Sequence, residues 1–392
     1  MKLAMVVPRY GPEVVGGAEN AARMLAERLV GVPDVEVEVL TTTALDSLTW
    51  SNHYAAGRST LNGVEIERFD SPLGRHRGFS TFSDRVLACP AAASRDEADH
   101  WIDLQGPVCP DLVDAAAGAR ADVVAFYPYL YYPTVRGLPL VPGPTVMHPA
   151  AHDEGAFYLP VFDPVFASCD GFVYHTYEEK RLVQSRFSVA QCPEVVLGLG
   201  IEAFAGPRQG AAEILGLGER PYLCCVGRVD DLKGSAMLAE FFAAYKRRHP
   251  GPLALALVGP VAVQPIAHPD IILTGPVSES AKWDILEGAT ALVTPSPYES
   301  FSIVMMEAWT AGLPVVVNAA CAATLEHCRR SGGGLSFGGY AEFEVVIDRL
   351  IANEKMRATL ARNGRNYVES YFAWPVLIGR YLEFLGRVLA RS

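Results

Sequence analysis

No Cys-x-x-Cys pair and no Cys/His cluster at zinc spacing occurs among the eight cysteines of this 392-residue chain. Cys224 and Cys225 stand side by side in an apolar run, which reads as buried thiols in a reducing compartment rather than a disulfide framework. Positive charge is also short: 33 Lys and Arg face 44 Asp and Glu, for a formal charge of −11. Nucleic-acid binders usually need a basic surface, so no nucleic-acid partner is expected. Simple electrostatic docking to an anionic bilayer is disfavoured too, although a local basic patch leaves room for peripheral membrane contact. Long apolar runs are missing. The first, residues 3–7, is cut by Pro8, and no later one reaches the roughly 18 residues of a membrane span. The expectation is a soluble cytoplasmic protein of two domains, at roughly 100–200 residues per domain. Half the residues are hydrophobic, enough for a full core.

Strand-like and helix-like segments alternate along the whole chain. Apolar runs at 3–7, 35–41, 64–69, 122–126, 144–147, 171–174 and 194–197 suit buried strands. Ala18, Ala21, Ala22, Leu25 and Leu29 recur at helical spacing. The pattern restarts at 221–226 and continues at 253–258, 271–273, 291–294 and 314–317, with a helix around Ser235–Arg248. Alternation of this kind predicts parallel sheets covered by helices on both faces. Gly198, Gly200, Gly206 and Pro207 suit a hinge. The expected division is 1–203, 204–374 and a last helix within 375–392. Two doubly wound domains facing a cleft would bind ligands beyond the carboxyl ends of their strands, so the loops after each strand carry the interest.

After the first strand, Gly11 and Gly16 have P-loop spacing, but Gly17-Ala18 replaces Lys-Ser/Thr, and Gly-x-Gly-x-x-Gly is absent. What remains is the pair Gly16 and Gly17 at a helix start. It reads either as a place where an anionic ligand approaches the backbone or as a tight turn. After the strand at 221–226 comes Gly227-Arg228-Val229-Asp230-Asp231-Leu232-Lys233-Gly234. Arg228 offers a fork and Lys233 a point charge to a diphosphate, stabilising charge as it departs. The alternative is that both pair with Asp230 and Asp231 on a solvated surface. After 291–294, Glu299 and Glu307 flank a helix start. On one continuous helix they would differ by about 80°, but Pro295 and Pro297 place Glu299 in a loop with the helix beginning near Phe301 or Ser302. The free N–H groups of Phe301, Ser302 and Ile303 then suit phosphate, Glu299 sugar hydroxyls and Glu307 ribose hydroxyls.

Taken in order, Gly16-Gly17-Ala18-Glu19, Gly227-Arg228 with Lys233-Gly234, Pro295-Ser296 through Glu299-Ser300-Phe301 to Glu307-Ala308, and Gly312-Leu313-Pro314-Val315 resemble family 4 of the retaining glycosyltransferases, over essentially the whole chain. The resemblance implies a GT-B fold: two Rossmann-like domains and a C-terminal helix crossing back to the first. It implies a hexosyltransferase-like, metal-independent enzyme with no cofactor, its UDP- or GDP-type sugar donor being a substrate. The second domain would bind the donor: Arg228 and Lys233 the diphosphate, Glu299 the sugar, Glu307 the ribose. The first would bind a glycan, lipid or small-molecule acceptor. The family carries a histidine facing the donor sugar, and His152 in His-Asp-Glu is the better match than His148, which reads as structural. One departure is Leu199-Gly200-Ile201-Glu202, where many members have Asn-Gly-Val-Asp.

Three further readings come from the residues. Tyr127, Tyr129, Tyr131 and Tyr132, just past a strand, suit either acceptor stacking or a packed loop. Arg58, Arg75, His76 and Arg77 read mainly as a solvated loop. Asp153 and Glu154 are adjacent and point apart, so they do not flank one bond as a glycosidase pair does. Epimerisation or hydrolysis of a nucleotide-sugar, or a silent nucleotide-sugar-binding subunit, are the competing functions.

Overall fold

The computed structural model describes residues 1–207 and 210–391. It divides into two compact units, Met1–Gly200 with Leu377–Ser392, and Ile201–Val376.

The first unit is built on eight strands: β1 Lys2–Val7, β2 Glu36–Thr42, β3 Gly57–Leu61, β4 Val64–Phe69, β5 Val123–Phe126, β6 Thr145–Met147, β7 Gly171–Tyr174 and β8 Glu194–Val196. Their order is β3-β4-β2-β1-β5-β6-β7-β8, all parallel except β3 against β4. β1, β5, β6 and β7 are almost entirely buried, as expected for parallel strands covered on both faces. The second unit holds β9 Tyr222–Val226, β10 Ala254–Val258, β11 Ile271–Gly275, β12 Ala291–Thr294, β13 Val315–Asn318 and β14 Gly334–Phe337, in the order β11-β10-β9-β12-β13-β14 and parallel throughout. These are the two Rossmann-like sheets expected. β3 and β14 were not anticipated.

Strand order decides where ligands go. Successive strands run outward from β1 through β2 to β4, then return to β5 on the other side of β1. The second sheet does the same around β9 and β12. Between β1 and β5, and between β9 and β12, the flanking loops part, opening a crevice at the carboxyl ends. The Gly16-Gly17 and tyrosine loops follow β1 and β5. The Arg228–Lys233 and Glu299 loops follow β9 and β12.

The helix Trp374–Leu389 enters the first unit from Leu377. A Cβ on Gly171 would lie 2.8 Å from Val388 and 3.0 Å from Phe384, so the start of β7 has room only for glycine under this helix. Arg387 donates to the Glu194 carbonyl at 3.0 Å, and Arg380 and Arg391 donate to the carbonyls of Val196 and Gln191. Among the described residues no helix is long and apolar enough to cross a membrane.

Candidate functional site

In the second unit, the loop after β9 is organised by Asp230, which sequence reasoning had treated only as a surface counter-ion. Its Oδ1 accepts the Lys233 N–H at 2.7 Å, its Oδ2 takes the Arg228 guanidinium, and its own N–H donates to the buried Ser235 hydroxyl at 2.8 Å. Burial pushes this carboxyl up, but the Lys233 N–H and the Arg228 guanidinium outweigh it and hold it below the usual carboxylate range. Arg228 remains 53% exposed at its side chain. Lys233 does not pair with Asp231. Its Nζ donates to Glu299 Oε1 at 2.7 Å, joining the two loops.

Gly234 explains how the loops come so close. It has φ +71°, and a Cβ there would sit 2.6 Å from the Pro295 carbonyl oxygen. That carbonyl is held from the far side by the Asn318 amide at 2.9 Å. Only glycine combines this left-handed backbone with this approach.

The helix after β12 is Ile303–Thr310, with Ser302 as its N-cap. It therefore starts at the late edge of the expected range, and Phe301 lies outside it. The Phe301 ring is buried edge-on to His327 and Phe372, with centroids 5.0 and 5.1 Å away, and acts as the anchor of the helix start. Ser302 has φ +70°, a conformation that costs a non-glycine residue about 1–3 kcal/mol. Its buried hydroxyl, like that of Thr294 at the end of β12, has no hydrogen-bond partner among the described residues. A strained residue with an unsatisfied hydroxyl thus stands at a helix mouth whose N–H groups favour an anion. At the start of the second turn, Glu307 pairs with Lys282 of the helix Glu279–Gly288 at 2.7 Å. Lys282, 25 residues earlier in the chain, had no local signal to mark it.

In the first unit, Gly16 precedes the helix Gly17–Leu29 in extended backbone, φ 174°. Its glycine has a packing cause: a Cβ would lie 2.2 Å from Glu19 Oε2 and 2.9 Å from Arg9 Nη2. Arg9 and Glu19 form a buried ion pair, 5% and 6% exposed, which the sequence reading missed. A Cβ on Gly17 would meet nothing within 4 Å, so this glycine keeps the open approach.

The tyrosine loop divides. Tyr127 and Tyr129 are 2% and 1% exposed. The Tyr127 ring stacks on His148 at 3.9 Å, and its hydroxyl lies 2.9 Å from His148 Nε2, which is also 3.2 Å from the Tyr381 hydroxyl. The Tyr129 hydroxyl donates to Glu154 Oε1 at 3.0 Å. Neither ring has an open face, so both are core residues, and the acceptor expectation does not extend to them. Tyr131 is half-buried, edge-on to Trp50 at 5.0 Å. His148 is structural, as expected, and burial, with His175 adding to it, holds its imidazole well below the ordinary range.

His152 is half-buried, with Nε2 3.4 Å from Glu154 Oε2. That hydrogen bond and the Glu154 charge push its pKa up, with burial working against them. Asp153 accepts from Tyr158 instead, confirming that the two adjacent acids diverge. Behind His152 lies Glu179, fully buried and accepting N–H bonds from Ala151 at 2.9 Å and His175 at 2.6 Å. Burial pushes its carboxyl up to about 7 against these donors.

Residues 220–353 match the family described as Glycosyl transferases group 1. The chain is 26% identical over 257 residues to a D-inositol 3-phosphate glycosyltransferase of Salinispora arenicola, covering 58% of this chain and 57% of that one. It is 28% identical over 336 residues to D-inositol 3-phosphate glycosyltransferase 1 of Catenulispora acidiphila, covering 78% and 75%. Against several of the curated relatives the match spans about half of the relative's length. Among solved structures, sucrose-phosphate synthase from Thermosynechococcus elongatus superposes with a TM-score of 0.71 at 17% identity, over 100% of both chains. Anabaena HepE in complex with UDP and glucose gives 0.68 at 14%, over 99% of this chain and 100% of that one. The chain thus has the GT-B fold, and its residues 220–353 match the glycosyl transferases group 1 family.

Proposed function

We propose that the protein is a retaining glycosyltransferase that moves a sugar from a nucleoside-diphosphate sugar to a hydroxyl acceptor, with the donor on the second unit. The observation that carries the reading is the mouth of the Ile303–Thr310 helix. There the strained Ser302, its unsatisfied hydroxyl and the Lys233–Glu299 pair converge at the β9/β12 crevice. Helix N–H groups and two cations suit a diphosphate, Glu299 a sugar hydroxyl, and Glu307 the ribose.

In the reaction, the bond from the anomeric carbon to the diphosphate oxygen breaks. The acceptor oxygen bonds to that carbon on the same face, and the acceptor's proton passes to the departing phosphate. Arg228, Lys233 and the helix N–H groups stabilise the charge that develops, so neither a protein nucleophile nor a metal is assigned a role. In the first unit, His152, whose pKa Glu154 pushes up, and the open backbone at Gly17 are the groups nominated for ligand contact. The acceptor is a sugar, a lipid or a small polyol. UDP is the first nucleotide to try, because it is the one named with the structural neighbour HepE. Free thiols at all eight cysteines suit a cytoplasmic setting.

A thermal-shift screen of nucleotide-sugars tests donor binding, since a ligand of the folded state raises its melting temperature. Product analysis with and without sugar and polyol acceptors follows. A glycoside with retained anomeric configuration is expected. A product formed without acceptor would mean hydrolysis or epimerisation, and binding with no product would mean a silent subunit.

A further inference from the structure

The helices Glu279–Gly288 and Ile303–Thr310 bring Lys282 against Glu307, Nζ to Oε1 at 2.7 Å. On its other side the ammonium meets Glu279 Oε1 at 2.5 Å. The Lys282 and Glu307 side chains are 17% and 14% exposed, whereas Glu279 is mostly in solvent. As a stability device this pair has little value, because desolvating two charges roughly cancels their attraction. As a positioning device it has more. A helical side chain leans toward its helix's N-terminus, so Glu307 faces the helix mouth, and Lys282 fixes how its carboxylate is presented. The charges that face Glu307 are Lys282 and Glu279, both from the neighbouring helix. Arg365, on the helix Glu354–Tyr371, is occupied at the opposite end by the Thr310 carbonyl, 3.0 Å away. Burial pushes the Glu307 carboxyl above its ordinary range, Lys282 pulls it back through its charge and hydrogen bond, and Glu279 adds to the push.

We propose that Lys282 is a positioning residue for the donor. Its ammonium holds the Glu307 carboxylate oriented to accept from the vicinal hydroxyls of a nucleotide ribose. The inference rests on the donor reading of Glu307. It adds a residue that touches no substrate and sits on a different helix from every other donor group.

UDP and GDP are titrated calorimetrically into the full-length protein and its Lys282→Met, Lys282→Arg, Glu279→Gln and Glu307→Gln variants between pH 5.5 and 8.5. The Glu307 carboxyl is followed by NMR. Lys282→Met is expected to weaken nucleotide binding by on the order of tenfold, more steeply at low pH, with the Glu307 titration midpoint raised. Lys282→Arg keeps the cation and restores most of the affinity. Glu279→Gln moves the midpoint the other way, and because Glu279 is exposed, this arm stands even if Lys282→Met fails to fold. If Glu307→Gln weakens binding while Lys282→Met binds like wild type at every pH, the positioning role is overturned and the donor reading survives. If Glu307→Gln itself binds normally, the donor reading falls and takes the proposal with it. An unmoved midpoint in both Lys282→Met and Glu279→Gln also overturns it.

Discussion

Two glutamates eight residues apart should fail differently when altered. Glu307 lies inside its helix and is the proposed ribose contact. Gln keeps the size but replaces one acceptor oxygen with a donor, so Glu307→Gln should raise the dissociation constants of the bare nucleotide and the nucleotide-sugar together. Glu299 lies in the loop before the helix and holds Lys233. Glu299→Gln should leave nucleotide affinity nearly unchanged and chiefly lower turnover. Calorimetry with each ligand separates the two, and a larger loss of nucleotide affinity in Glu299→Gln would reverse the assignments. Arg228→Ala and Lys233→Ala should each lower turnover by about 2–4 kcal/mol of transition-state stabilisation with the melting temperature kept. Activity should also persist in excess EDTA. Near-normal turnover in both variants, or loss in EDTA with rescue by magnesium, would overturn the diphosphate assignment or the metal-free one. At this scale the sequence named the groups but not their partners. Lys233, Glu299 and Glu307 were readable because they follow strands at fixed spacing. Lys282 and Arg9 were not, since an ion pair between distant segments leaves no mark on a single sequence. Gly16 was legible as a glycine but not for its cause, a side chain three residues ahead.

At the level of elements, the helix carrying Glu307 is seated by Trp309, whose indole N–H donates to the Gly333 carbonyl at 2.9 Å. A Cβ on Gly364 would come within 2.1–2.4 Å of that indole. Replacing a helical glycine with alanine ordinarily gains up to about 1 kcal/mol. Here overpacking, at about 1–3 kcal/mol, should win. Gly364→Ala is therefore expected to lower the denaturant midpoint and weaken nucleotide binding together, through displacement of the Ile303–Thr310 helix. A variant as stable as wild type would show that the indole shifts freely. Most strands were readable to within a residue or two because buried parallel strands are continuous apolar runs. β3 was not. Its residues are mostly exposed and polar, and the signal lay in the turn, where Asn62 and Gly63 both have positive φ and Leu61 pairs with Val64. That is the Asn-Gly two-residue hairpin, which an apolar scan passes over.

For the molecule as a whole, acid should be more damaging than base. His148, His175 and His327 are buried and uncharged. Burial holds His148 well below the ordinary range, His175 down to about 4, and His327, with Arg330 adding to it, down to about 3. In the unfolded chain each takes a proton near pH 6.5. The unfolded state therefore binds more protons in this window, and the stability these histidines give is complete above about pH 6.5 and lost as pH falls. Glu179 works the opposite way, since its raised pKa favours the folded state at low pH, and Glu307 shares that sign. Three histidines against these two carboxyls leave a net loss of roughly 1–3 kcal/mol between pH 7 and 5. Urea melts at the two pH values check it, and His327→Gln should flatten the dependence. A midpoint that does not move would mean the imidazoles are hydrated.

The arginines that cap carbonyls of β8 and of the loop before it have a consequence for how the protein is made. Arg380, Arg387 and Arg391 come from the far end of the chain, after the whole second unit. At roughly 5–20 residues per second, on the order of ten to forty seconds separate the emergence of β8 from the ribosome and the arrival of the helix that covers it. Throughout that interval the nascent first unit carries an open strand edge and the bare apolar patch around Gly171, the features that recruit a neighbouring chain or a chaperone. A stop codon anywhere before Leu377 would make that transient condition permanent.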